Sequence, residues 1–327
     1  MTDDTNNDQT QEQNGWLSTI VEGGLPQVLA GPAGKAVSRL IGATVEIPAA
    51  YLDGVVQGIR DKTEARSALT KAIADQVKQN VVNDPTVIDR AMNSMLSRAF
   101  RVQNNKDGVV KAALEDLAES PPAAESDGPS DGWLDKFERH AEEAGEPDLQ
   151  ILFGKLLAGE IREPGSITPS TLHFVSMLDR ETAQIIDKLM PATLPIGVTL
   201  LEVLPEPLSV LAIAEVEQSG FFSSDKQYNP KLGADGSIGM DMGRGQFAIL
   251  HGNANSTVHM GKVGLLSSAG RGLFHALQPV FNVEEFCKRA IRNNNLERVV
   301  YGAGVVQGTG FTIPIASVHS NPEFKKV

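Results

Sequence analysis

The stretch from Trp133 to Asp179 constrains the fold more than any other part of the chain. Leu149, Leu152, Phe153, Leu156, Leu157 and Ile161 recur at the i, i+3, i+4, i+7, i+8 spacing that puts side chains on one face of a helix. Trp133, Phe137 and Ala141 keep the same spacing on a preceding helix, joined to the first through Gly145-Glu-Pro147. Pro164-Gly165 stops the long helix, and Thr168-Pro169 restarts the chain with an N-cap followed by proline at the first helical position. The spacing predicts that Trp133 and Phe137 pack on Leu149, Leu152, Phe153 and Leu156. Glu160 falls on the polar side of its helix in this reading. It is expected there as a solvated charge, paired with Lys155 or Arg162 or touching the next helix.

Around this module the chain divides by composition. Residues 1–15 are polar and acidic and read as a disordered tail. Residues 16–118 read as an amphipathic helical region. Between 37 and 59 the apolar residues Val37, Leu40, Ile41, Leu52, Val55, Val56 and Ile59 share one face, and Arg39, Glu46, Asp53 and Arg60 recur every seven residues opposite them. Pro48 divides that stretch, and Asp84-Pro85 gives a clean helix restart. Residues 119–132, rich in Pro, Ser, Asp and Gly, read as a linker, and residues 133–194 as the helical module. In residues 195–327 the character changes. A short helix closes at Gly220, then a Gly-rich run leads to strands Gln246–His251 and Thr257–Val263 of a hairpin. A serine-capped helix over Ser267–Leu277 follows, then a helix at Val283–Arg292 and strands at Arg298–Val306 and Phe311–Val318. The sequence therefore predicts a mainly α protein with a C-terminal α+β part, the latter a winged-helix-like domain.

Composition bounds the function classes. The formal net charge of -12 repels nucleic-acid phosphate over most of the surface, so nucleic-acid binding needs a local basic face. Arg271 on the serine-capped helix, with Lys262 and Arg244, is the candidate. Cys287 is the single cysteine, so no internal disulfide forms and a reducing cytoplasm is the expected compartment. The N-terminus is acidic, without a basic start and apolar run, and no apolar stretch reaches the roughly 20 residues of a membrane span.

Motifs that invite chemistry fall short of it. Ala30-Gly-Pro-Ala-Gly-Lys35 lacks both the leading glycine of a phosphate loop and the Ser or Thr after its lysine, since Leu29 and Ala36 stand there. Gly302-Ala-Gly-Val-Val-Gln-Gly308 lies between strands, where a bulged strand is expected rather than a dinucleotide loop. His251 and His259, with Asp235 and Asp241 upstream, lack a spaced third metal ligand. Ser256 and His259 lack an orienting acid. Gly54-x3-Gly58 would allow close helix approach. The reading is of a chain with no catalytic, cofactor-binding or metal-binding residues, and no enzyme.

The pattern W-x3-F-x3-A followed by LQ-x-LF-x-K-x-LAGE-x3-PGS-x4-TL, carried here by Trp133, Phe137, Ala141 and Leu149 to Leu172, resembles the bacterial domain-of-unknown-function family 2806. It is more distantly similar to abortive-infection proteins of the alpha type. Relatives more often carry Trp at the position of Phe153 and Phe at that of Ile167, differences of packing volume. The resemblance implies a bacterial cytosolic helical protein with no known chemistry to transfer. The expected function is a non-enzymatic interaction protein, a phage-defence or stress effector acting through self-association, a protein partner, or contact of residues 16–60 with the inner membrane face. The alternative is a nucleic-acid-binding regulator using the C-terminal domain.

Overall fold

The computed structural model describes residues 32–41, 85–123, 126–224, 226–307 and 310–325. The expected tail 1–15 lies outside the described residues, as do Pro48, Gly54-x3-Gly58 and the charged positions Glu46, Asp53 and Arg60. The chain forms two compact units, Met1–Ser176 and Met177–Val327. Nine α-helices lie among the described residues, and all the strands fall in the second unit. The expected class, mainly α with a C-terminal α+β part, is the one found.

In the first unit the helices are α1 (Pro32–Ile41), α2 (Pro85–Glu119), α3 (Asp131–Glu143), α4 (Pro147–Arg162) and α5 (Pro169–Ser176). Proline at the first position of α2, α4 and α5 marks their starts, because its missing N–H has no intrahelical partner there anyway. Ser130 caps α3, its hydroxyl accepting from the Trp133 amide. α4 is the centre of this unit. From Leu156 to Ile161 every residue of it is buried, so it packs on more sides than the single apolar face its spacing suggests. α2 crosses it closely at Gly154, where a Cβ would come within 2.9 Å of Ala112 and Ala113 backbone atoms. The buried residues of α1, Ala36, Val37 and Leu40, sit on a helix packed against α2. For this part of the amphipathic region the apolar face is satisfied internally. Arg39, expected on a free polar stripe, pairs with Asp131, Asp135 and Glu138 of α3.

The segment expected as a linker unable to pack is fastened instead. The Ser126 hydroxyl donates to the Ile161 carbonyl at 2.6 Å, and Gly128 is buried. Arg162 donates to the carbonyls of Asp116 and Ser120, the exposed carbonyl end of α2, and pairs with the Asp116 carboxylate. A cation at a helix C-terminus meets both its unpaired carbonyls and its negative dipole end.

The second unit contains α6 (Arg180–Leu189), α7 (Val210–Gln218), α8 (Ser268–Leu277), α9 (Val283–Asn293) and two four-stranded antiparallel sheets. One sheet has the order β1 (Thr193–Leu194), β2 (Val198–Leu200), β6 (Val263–Leu266), β3 (Phe222–Ser223). The other has β10 (Ser317–Ser320), β7 (Leu296–Ala303), β5 (Gln246–Gly252), β4 (Ser237–Gly243). A separate hairpin, β8 (Val305–Gln307) with β9 (Gly310–Thr312), brings Phe311 onto Phe247 at 4.2 Å between ring centroids. Gly239 of β4 leaves the room, since a Cβ there would meet the Phe311 ring at 2.7 Å. α9 packs on the opposite face of this sheet through Phe286, Cys287 and Ala290.

Three expectations are corrected here. First, the strand Gln246–Gly252 pairs with Ser237–Gly243 and not with Thr257–Val263. The connecting residues Arg244 and Gly245 have φ of 49° and 70°, the left-handed pair that a two-residue hairpin turn needs. Second, 257–263 is irregular, with Gly261 at φ 71° and its amides bonded to Pro230 and Asn229, while Val263–Leu266 joins the other sheet. Two four-stranded sheets thus replace the single wing. Third, the unit boundary falls after Ser176 and not after Leu194, because α6 packs on α7 and Thr182 bonds both Asp179 and Glu215.

Candidate functional site

Glu160 is 2% exposed, which overturns its reading as a solvated charge. One carboxylate oxygen accepts from the Gly165 amide at 2.7 Å and the other from the Ile167 amide at 2.9 Å. Both amides belong to the turn that Pro164-Gly165 makes between α4 and α5, and a buried carboxylate holding two N–H groups replaces the water it has lost. The Ile167 carbonyl accepts from the Trp133 indole N–H at 2.7 Å. Trp133 and Glu160 therefore hold the two sides of one residue. Trp133 stacks on Phe137 at 4.8 Å, and Phe137 meets Phe153 edge-on at 5.9 Å. Of the expected aromatic cluster, Leu149 and Leu152 are only half-buried, while Phe153 and Leu156 are fully buried. His140 also stacks on Phe153, and burial pushes its pKa below the ordinary value. In this constellation the Glu160 carboxylate fastens the turn between α4 and α5.

The C-terminal candidates do not converge on one site, although Asp235 and His251 lie within electrostatic reach of each other. His251 sits on β5 opposite Ser237 and Arg298. His259 lines a separate cleft. Asp235 is occupied with the Ser237 amide and hydroxyl, and Asp241 with the Gly243 amide. No group of three His, Cys, Asp or Glu that could hold a metal ion occurs among the described residues. The Ser256 hydroxyl donates to the Asn253 carbonyl, as a turn residue does. Residues 32–35 open α1 and are not a loop, with Lys35 3.3 Å from Asp131. Gly302 ends within β7, and Gly304 lies against the Phe247 ring, the irregular strand expected of that motif. Cys287 is buried, and burial pushes its thiol up to about 12.

The three cations of the nucleic-acid reading are dispersed. The Arg271 stem lies over Gly197, 3.4 Å from where a Cβ would stand. Arg244 donates to the Gln278 carbonyl at 2.6 Å, at the far end of α8 from the first turn that holds Arg271. Lys262 lines the cleft together with Glu202 and Glu217.

That cleft, about 560 Å³, went unread in the sequence. Val210, Ile213 and Ala214 of α7 form an apolar wall, facing polar groups of Ser224, Lys226, Gln227, Asn229, His259 and Lys262. Its two acids hold structure: Glu217 accepts from the Ser224 amide at 2.6 Å, and Glu202 from the Asn293 side chain at 3.0 Å. α7 is apolar for most of its length, yet only Val216 is buried, and Val210 and Leu211 are 80% and 81% exposed. An apolar helix with one buried residue is the signal that could have been found, in the run Val-Leu-Ala-Ile-Ala-Glu-Val beyond its serine cap.

Fold and site together define a helical domain followed by an α+β unit that presents apolar surface. Residues 89–199 match the model of the family described as "Protein of unknown function (DUF2806)", as the Trp133–Leu172 pattern indicated. The match begins inside α2 and ends in β2. Neither a curated protein nor a solved structure matches the chain.

Proposed function

We propose that this protein is a non-enzymatic interaction protein whose C-terminal unit makes the contacts, in the defence or stress role that the resemblance implies. The observation that carries the reading is α7. Its capped, well-formed helix leaves Val210, which lines the cleft, and its neighbour Leu211 in solvent, where a monomer gains nothing from them. Val305, Val306, Ile315 and Val318 of the same unit are exposed as well. Self-association or a protein partner is favoured over lipid: α1, the described part of residues 16–60, buries its apolar face on α2. No helix among the described residues is long and apolar enough to cross a membrane. The nucleic-acid alternative is disfavoured by the net charge and by the dispersal of Arg244, Lys262 and Arg271.

The test compares the full chain with Leu211→Glu, in sedimentation across a concentration series and in flotation with anionic vesicles. Association that weakens in the variant supports a contact through α7. Flotation of the wild type would move the function to the membrane. Binding to duplex DNA with a steep salt dependence would restore the regulator.

A further inference from the structure

We draw no further inference here: the strongest candidate, the cleft of the second unit between α7 and residues 259–262, sets Lys226 and Lys262 against Glu202 and Glu217, a balance of charge that selects no ligand, and nothing in the structure shows what covers its apolar wall.

Discussion

Glu160 carries the largest correction at the scale of single residues. Helical periodicity counts apolar positions, and an acid between them reads as the polar side whether water or protein surrounds it. Here two amides surround it, those of Gly165 and Ile167. Glu160→Ala leaves the buried Ile167 amide without its acceptor and should cost about 2–4 kcal/mol in urea unfolding. Glu160→Gln, with one acceptor oxygen in place of two, should cost less. A loss below about 0.5 kcal/mol for alanine, the range of ordinary surface changes, would return Glu160 to the solvent. His140 makes a second prediction. Burial beside Phe153 lowers its pKa from 6.5, and burial with nearby Arg298 lowers that of His251 likewise. The unfolded chain then binds more protons than the folded one just below pH 6.5, so stability is full above that value and falls as pH drops through the folded pKa values. His140→Phe keeps a ring on Phe153 and should flatten part of this decline, read from unfolding midpoints between neutral pH and mild acid. A steeper decline in the variant would show that the histidine is not buried in its neutral form.

Among elements, the helices were legible wherever a cap and a period coincided. Thr168-Pro169 and the serine before Ser268 mark real starts, and Leu149 to Ile161 is one helix. What spacing could not reveal is how many sides of α4 are covered, because burial of Gly154, Ala158 and Gly159 leaves no large apolar residue to count. Those small residues let α2 approach. Gly154→Ala should therefore destabilise by about 1–3 kcal/mol despite alanine's better helix propensity, since its Cβ would meet Ala112 and Ala113 backbone. Phe153→Ala should cost about 3–5 kcal/mol through lost burial and a cavity under Phe137. A neutral or stabilising Gly154→Ala would mean that the helices slide apart at no cost. The strands were less legible for the same physical reason in reverse. β4 contains Gly239 and Asp241 and ends in Arg244-Gly245, a turn whose first residue adopts φ 49° without being Gly or Asn, so neither strand nor turn shows its usual residues.

At the scale of the whole molecule, the sequence located a change of character near Pro195 but not the division itself. Proline and glycine density mark where helices give way to strands, whereas units divide where packing does. α6 looks like the end of the helical module and is packed on α7. Each unit has its own core: Phe137, Phe153, Leu156 and Leu157 in the first, Phe221, Leu250, Phe286 and Val299 in the second. Units with separate cores can lose their packing separately. Calorimetry of the full chain should then resolve more than one transition, and a two-state fit should fail. Phe153→Ala should lower one transition and leave the other in place, and Phe286→Ala should do the converse. The pair of variants is needed because a single shifted peak could hide either assignment. If both substitutions lower one common transition by similar amounts, the chain unfolds as one cooperative block and the division at Ser176 has no energetic meaning.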